Sequence, residues 1–440
     1  MARHTLHGFL LVLIFAASAQ GQGRPSTLAT LFQEIFGPSG LVVASEDVLL
    51  DGTNHAAHFN SAFQSEFRLV NIALTSQLAA VPLPSPASGF TYRFEPGTGT
   101  FVRSTRSFGP ILAERGETIG RGRLSLGYSY QFFSFDELDG VPLANIPAVF
   151  THDNFELGGG RADVVGTNNT ITASVSQFSG ALTYGVTDRF DVALAVPVVQ
   201  TQLSLLSNAR IQRVGTGSNV VVHYFVDQNA IGGFGNTHQF FAEGSAGGIG
   251  DLVVRGKATV LREGARALAA GIDVRLPTGD EQNLLGSGAL GVRGFAAFSS
   301  SLGAFAPHAN VAYQWNGDSV LAGDVSTGEK DDLPDQFGFA LGSDLGVNER
   351  FSIVVDFLGQ RVFNSPRLTS RTFTASGPAG TMELPDIRLV EDSYWLASGA
   401  VGVKGHIATR ALLVFNLKFR LNDNGLTDKL TPLLGMEWNF

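Results

Sequence analysis

The chain has 440 residues, no cysteine and only 16% charged residues, but 53 glycines and 34 phenylalanines. Without cysteine there is no disulfide framework, so stability must come from a large core or from a closed hydrogen-bonded wall. The net charge of −9 argues against a nucleic-acid partner, for which a basic stripe is expected. Mean hydropathy is high at +0.14, yet no apolar run beyond the N-terminus is long enough for a membrane helix.

Residues 1–19 have the pattern of a secretory signal peptide. Arg3 precedes an apolar stretch at 9–17, and small residues at 17–19 form a cleavage site, so we expect Gln20 to begin the mature chain. A retained membrane anchor is the weaker alternative, because the stretch is shorter than the ~20 residues that a spanning helix needs. The expected compartment therefore lies outside the inner membrane.

A second segment, residues 20–119, lacks the strand pattern of the rest of the chain. Apolar residues over Thr27–Phe36 recur at helical spacing and Gly37-Pro38 follows, which predicts a short amphipathic helix. Two placements are open for this helix: a plug inside the barrel predicted below, or a periplasmic helix at its mouth. The stretch from Phe59 to Leu78 fits neither period.

A turn sequence at residues 95–99, Glu-Pro-Gly-Thr-Gly, predicts a hairpin between two short strands within 90–104. If the chain from Phe63 onward enters the wall with this hairpin, the strand count predicted below rises from 12 to 14. Both numbers are even, as single-chain bacterial barrels require.

Beyond residue 120 the chain alternates apolar and polar residues with a period of two. In the stretch 189–199, Phe190, Val192 and Leu194 share one face, while Asp191 lies on the other. The same alternation recurs at 252–259, 268–276 and 413–421. Repeated alternation without helices predicts a closed sheet in lipid, where every backbone N–H and C=O must be paired.

Connections between these strands alternate short and long, as in bacterial barrels with tight periplasmic turns and extended outer loops. The short connections are at 187–188, 263–265, 301–303, 348–349 and 408–409, and the long ones at 136–170, 207–249, 280–287, 317–334 and 365–392. The sequence therefore predicts an all-β fold: an antiparallel up-and-down outer-membrane β-barrel of 12 strands over 120–440. Its expected partners are outer-membrane lipid, lipopolysaccharide and the barrel-assembly machinery.

Charged side chains on the polar face of these strands are candidates for lining the lumen, since a charge facing lipid costs about 2–4 kcal/mol at mid-membrane. They are Arg255, Lys257, Asp273, Arg275, Asp356, Lys404, Lys418, Arg420 and Glu437. Two interpretations stay open: salt bridges that merely fill a small barrel, or a polar wall that orients a passing solute.

The last strand has the spacing of an outer-membrane assembly signal, with Gly435, Trp438 and the terminal Phe440. Nucleotide and common hydrolase motifs are missing, and the glycines at 286–291 lack the following helix and acidic residue that a dinucleotide site needs. We therefore expect no enzyme, no cofactor and no metal.

Three motifs carry a resemblance to a known family: Gly185-Val186-Thr187-Asp188, Gly248-Ile249-Gly250-Asp251 and Pro277-Thr278-Gly279-Asp280. At these positions the chain resembles the outer-membrane transporters of the MetA pathway of phenol degradation, which look like relatives of FadL-type hydrocarbon channels. The resemblance implies passive uptake of small hydrophobic or aromatic compounds. A non-selective polar porin and a closed structural barrel are the alternatives.

Overall fold

The computed structural model describes residues 27–36, 59–60, 68–80, 92–95, 100–103, 107–152, 163–214, 223–230, 233–408 and 411–440. The predicted signal peptide at 1–19 lies outside these residues. Among the described residues, no helix is long and apolar enough to cross a membrane.

The described chain contains two α-helices, α1 at Leu31–Glu34 and α2 at Arg68–Ala80, and strands β1 to β24. Strands β1 to β12 are, in order, Phe59–Asn60, Tyr92–Glu95, Thr100–Arg103, Leu124–Phe135, Glu137–Leu138, Val141–Pro142, Ile146–His152, Val164–Thr187, Phe190–Gln212, Phe225–Val226, Phe234–Gly235 and Thr237–Ile249. Strands β13 to β24 are Leu252–Glu263, Arg266–Leu276, Gly291–Ser300, Phe305–Asn316, Asp318–Asp324, Glu329–Asp332, Gln336–Gly346, Phe351–Gly377, Gly380–Ala408, Ala411–Arg420, Leu426–Thr427 and Leu430–Asn439.

Twelve of these strands close into an antiparallel barrel: β4, β8, β9, β13 to β16, β19 to β22 and β24. Each pairs with the next barrel strand along the chain, and the last strand closes the ring against the first, with Leu434 opposite Tyr130. The predicted fold class is confirmed. The hairpin predicted at 90–104 forms as β2 and β3 but pairs only with itself, so the count is 12 and not 14.

The outer face of β8 changes polarity partway along the strand. Between Phe178 and Val186 the outward side chains are apolar and exposed, while Thr183 faces inward and is buried. These outward residues form the apolar belt of the strand. Over residues 164–176, towards the long loops, the pattern of polarity is reversed: apolar residues such as Ile171 point into the barrel, and polar residues such as Ser174 point out. An apolar exterior suits lipid and a polar exterior suits water. The wall therefore passes through the membrane and continues well beyond it.

The interior of this outer extension is a hydrophobic core. Inward residues of β8 and β9 pack there with the N-terminal segment, in a cluster that includes Phe32 of α1, Leu74 of α2, Ile171 and Leu203. The approach of α1 to β12 is so close that a Cβ on Gly244 would lie 3.2 Å from a methyl group of Leu31. Helix α1 thus lies inside the barrel, at the end that carries the long loops.

Parts of two stretches predicted as loops continue strands of the wall. Much of 207–249 belongs to β9 and β12, and β20 and β21 run through 365–392 to a tight turn at Gly377–Gly380. The prediction of loops was wrong because an apolar outer face was the criterion for a strand, whereas the outward residues of the strands are polar beyond the membrane. The helix predicted over Thr27–Phe36 is confined to Leu31–Glu34, with turns on either side.

The membrane belt can be located by placing a charge on each half of β8. Leu182 lies at the centre of the belt and is 42% exposed, so Leu182→Arg should lower the free energy of unfolding by about 2–4 kcal/mol. Ser174→Arg, outward on the same strand but above the belt, should change it by less than about 0.5 kcal/mol. Urea unfolding in lipid vesicles measures both, and equal losses would contradict this placement.

Candidate functional site in the barrel lumen

The lumen is organised in three levels along the barrel axis. Its outer level is the hydrophobic core around α1 and α2, and its middle level is a cavity of about 240 Å³. The inner level is occupied by residues 107–119, called here the plug segment, which precede β4. The plug segment lies at the end that carries the short turns, which face the periplasm in bacterial barrels.

Wall side chains hold the backbone of the plug segment. Ser352 Oγ accepts from the Phe108 amide at 3.0 Å, and Asp191 Oδ2 on the far side of the lumen accepts from the Ile119 amide at 2.9 Å. Between them, Lys404 Nζ donates to the Pro110 carbonyl at 2.6 Å. A buried peptide without regular structure needs such partners, because each unpaired backbone group costs about 1–3 kcal/mol. The wall is therefore built to receive this segment.

Glu114 is the electrostatic centre of the plug segment. Its carboxylate accepts from the Arg255 guanidinium and lies 3.3 Å from Lys257 Nζ, and all three side chains are buried. Arg255 is itself paired with Asp273, at 2.6 Å. Burial raises the pKa of Glu114, but the two cations outweigh burial and hold that pKa below its ordinary value of 4.5. The carboxylate is thus ionised at neutral pH.

Apolar and amide contacts complete the seat of the plug segment. Ile111 packs against Val354, Val414 and Leu433 on three wall strands. Asn310 brackets Glu114, with its Oδ1 accepting from the Glu114 amide at 2.5 Å and its Nδ2 donating to the carbonyl at 2.9 Å. The segment is therefore positioned by shape as well as by charge.

A second charged group lies beneath the plug segment. His308 Nε2 is 2.6 Å from Asp356 Oδ1, and its Nδ1 is 3.4 Å from Asp344 Oδ1. Asp344 also accepts from the Gly109 amide at 3.1 Å and lies 3.8 Å from Arg115. These side chains are packed together under the segment and are almost fully buried. Through Asp344 this group helps to hold the plug segment.

The middle cavity is lined by both polar and apolar side chains. Its polar lining is rich in amides, and three cations and two carboxylates also reach it. The amides are Gln131, Gln177, Asn310, Gln314, Gln336, Gln360 and Asn416, and the charged residues are Asp251, Asp273, Arg275, Arg293 and Lys418. Phe133, Val199 and Leu285 line the cavity and also belong to the hydrophobic core above it. The cavity thus borders the apolar core of the outer extension.

The nine charged residues singled out in the sequence divide among these levels. Arg255, Lys257 and Lys404 contact the plug segment directly. Glu437 lies 4.0 Å from Lys404, and Asp356 pairs with His308 as described above. Three others, Asp273, Arg275 and Lys418, line the middle cavity. These eight side chains lie inside the barrel.

Arg420 differs from the other eight charged residues. It lies at the loop end of β22, where Nη1 donates to Glu137 at 2.7 Å and to Thr427 at 2.8 Å. In this position it ties two outer loops together. At the opposite end of the barrel, Trp438 meets Tyr128 edge to face on the outer surface, and the Phe440 amide donates to the Leu124 carbonyl at 2.8 Å.

Sequence patterns did not reveal the plug segment. Glu114, Ile111 and Asn310 hold it in place, yet residues 107–119 show neither a helical nor a strand period. One signal in the sequence could have indicated it. Cations that the alternation places inside the wall, such as Lys257, need a negative charge from another part of the chain.

Within the described part of the chain, no group of three or more histidine and acidic side chains is arranged to hold a metal ion. The glycines at 286–291 lie in the loop between β14 and β15 and at the start of β15. Asp251 accepts there from the Ser287 amide at 2.7 Å and from the Gly279 amide at 3.1 Å.

No family model matches the chain, and no curated protein matches it. Among solved structures, an outer-membrane channel from Pseudomonas putida F1 is similar at 17% identity and a TM-score of 0.43, over 74% of this chain and 97% of that one. The NanC porin matches at 6% identity and a TM-score of 0.33, over 72% and 98%. A Pseudomonas aeruginosa FadL homologue matches at 9% identity and a TM-score of 0.31, over 72% and 89%.

A FadL homologue is thus among the similar structures. A porin is among them as well. Because these TM-scores are below 0.5, the likenesses carry no argument about what this barrel transports.

Removing the charge of Glu114 should loosen the plug segment. Glu114→Gln leaves Lys257 without its carboxylate, and breaking a buried ion pair costs about 3–5 kcal/mol. We expect the ratio of seated to released segment to fall by roughly a hundredfold or more. Single-channel recordings in a planar bilayer would show this as more frequent openings. Glu349→Gln, at an exposed periplasmic turn, is the matched control and should leave the openings unchanged.

Acid should have the same effect on the unchanged protein. Because the folded-state pKa of Glu114 lies below 4.5, its ion pairs stabilise the seated segment fully above that pH. Their contribution disappears as the pH falls through the folded-state pKa. Openings should therefore increase below pH 4.5 in the wild type. If Glu114→Gln responds to acid as steeply as the wild type, another group is responsible.

A glycine contact offers a test that leaves every charge in place. A Cβ on Gly116 would collide with the backbone carbonyl of Ala267, so Gly116→Ala should displace the plug segment from the wall. Gly294 has open space around its Cα, so Gly294→Ala is the control. Only Gly116→Ala should raise the conductance. Equal conductance in the two variants would mean that the segment does not obstruct the lumen.

Proposed function

We propose that this protein is an outer-membrane channel for the passive uptake of small hydrophobic or aromatic compounds, and that the plug segment controls release into the periplasm. The observation that carries the proposal is that the middle cavity and the apolar core of the outer extension share side chains, namely Phe133, Val199 and Leu285. Transfer of an apolar solute from water to these apolar side chains is favourable, by about 25 cal/mol per Å² of apolar surface buried.

A polar porin is the alternative, and the lumen argues against it. Porins enclose a polar, water-filled channel. Here most inward side chains of the outer level are aliphatic or aromatic, as with Ile171 and Leu203, and these pack with α1 and α2. Water and sugars lose hydrogen bonds on entering such a region, whereas aromatic hydrocarbons lose none. The interior therefore favours apolar solutes.

A closed structural barrel is the other alternative. It is disfavoured by the way in which the plug segment is held. A permanent filling of the lumen can use apolar packing throughout, and replacing a buried ion pair by well-packed apolar residues is often neutral or stabilising. The segment here depends on Glu114, on buried cations and on single hydrogen bonds to an irregular backbone. Entering water can replace such contacts one at a time, so they suit a segment that leaves and returns.

Filling the middle cavity should block transport without disturbing the outer wall. Ala312 is buried and lines the cavity, so Ala312→Trp should reduce the uptake of toluene into proteoliposomes by roughly tenfold, equivalent to about 1.4 kcal/mol. Ala258 points outward beside Phe190, and Ala258→Trp is the control for the added ring.

Sucrose swelling of the same vesicles tests the competing interpretation. The proposal predicts toluene uptake with little sucrose entry. Fast sucrose entry through the wild type, without faster toluene uptake than in protein-free vesicles, would establish a polar porin. Entry of neither solute through the wild type or through Gly116→Ala would establish a closed barrel.

A further inference from the structure

The middle cavity presents hydrogen-bond donors that have no acceptor. Arg275 is 7% exposed, and its Nη2 donates to Asn316 Oδ1 at 2.8 Å. Its Nε and Nη1 have no hydrogen-bond partner among the described residues. Its nearest carboxylate is Asp251, 3.6 Å from Nε, and this carboxylate already accepts from two amides and a hydroxyl group. A buried guanidinium is thus left partly unsatisfied at the edge of an empty space.

The opposite wall carries two more donors. Strand β22 is six strands from β14 around the barrel of twelve, and its Asn416 is 2% exposed with Nδ2 unpartnered among the described residues. Two residues along the same face, Lys418 places its ammonium 5.7 Å from the ring centre of Phe133. Within the described chain, Lys418 has neither a hydrogen bond nor an ion pair.

The charges that line the cavity leave a positive balance. Three cations and two carboxylates reach it, which gives a formal charge of +1. Asp251 is occupied as described, and Asp273 is shared between Arg255 and Arg293, at 2.6 and 3.1 Å. The acceptors are therefore saturated while the donors are not, and an unpaired buried donor costs about 1–3 kcal/mol, more when it is charged.

We propose that the middle cavity is a binding site for a small aromatic carboxylate, held by Arg275 and drawn by Lys418. This rests on the proposed function and narrows it, from apolar compounds in general to those with one anionic group. A carboxylate supplies the acceptors that Arg275 lacks, and charged hydrogen bonds of this kind are about twice as strong as neutral ones. The aromatic body then lies against Phe133 and Leu285. The cavity volume of about 240 Å³ is just below the range of about 300–1,000 Å³ found for drug-sized ligands, so a ligand with a single ring is the better match.

Two probes of the same shape test the proposal: benzoate, and benzyl alcohol as its neutral counterpart. Isothermal titration of the full chain in detergent should show benzoate binding at least roughly tenfold more tightly than benzyl alcohol, a difference of about 1.4 kcal/mol. Equal affinities for the two probes, or no detectable binding of benzoate, would overturn the proposal.

Variants identify which donors act. Lys418→Gln removes a cation that holds no structural bond, and Arg275→Met removes the unsatisfied donors at similar length. Each should weaken benzoate binding by roughly tenfold, about 1.4 kcal/mol, and leave benzyl alcohol unaffected. Lys330→Gln and Arg262→Met, at exposed positions, are the controls. If Arg275→Met fails to fold, Lys418→Gln decides, and unchanged benzoate affinity in that variant would refute the assignment.

Toluene uptake separates this proposal from the broader one. Uptake of toluene without preferential binding of benzoate would leave the hydrophobic channel standing and remove the carboxylate site. Binding of benzoate with no uptake of toluene or benzoate through the wild type or Gly116→Ala would support the site and refute the channel.

Discussion

The closed ring of backbone hydrogen bonds is the constraint on which the rest of this structure depends. In lipid an unpaired strand edge has no water to bond, so the wall must close. Closure puts the side chains of every strand alternately outside and inside. Leu182 and Tyr184 then face lipid, and Thr183 between them must be accommodated in the lumen. The contents of the lumen thus follow from the lipid outside it.

The inward side chains are accommodated differently at each level of the lumen. Beyond the membrane, water outside allows polar outward residues such as Ser174, and apolar residues such as Ile171 turn inward to form a core with α1 and α2. Within the membrane the outside must be apolar, so polar and charged groups accumulate inside and need partners. The plug segment supplies Glu114 to two of them, and the cavity leaves Arg275 only partly satisfied. Among the described residues, the middle cavity is therefore a level of the lumen at which buried polar groups still lack partners and can bind a solute.

Sequence reasoning recovered the wall because alternation is a local property. Phe190, Val192 and Leu194 were assigned to lipid, and their side chains are exposed on the outer surface. The reversal of phase between Val175 and Phe178 was equally readable, but a search for apolar outer faces ends where that face becomes polar. The sequence pattern therefore predicts loops where the strands continue beyond the membrane.

The plug segment could not be predicted in the same way, because its order comes from distant partners. The Glu114 amide meets Asn310, almost two hundred positions along the chain, and the Ile119 amide meets Asp191. Neither contact leaves a periodic trace in the sequence.

What the sequence does contain is an excess of positive charge: Arg255 and Lys257 share the inward face of β13, and no acidic residue lies beside them on that strand. A buried excess of one sign on a closed wall requires a counter-charge from elsewhere. Here Asp273 on the next strand meets part of the requirement, and an irregular segment carrying a carboxylate meets the remainder. The segment that obstructs the lumen and the charges of the wall therefore belong to one electrostatic arrangement, and a channel that opens must pass through a state in which that arrangement is replaced by water or by solute.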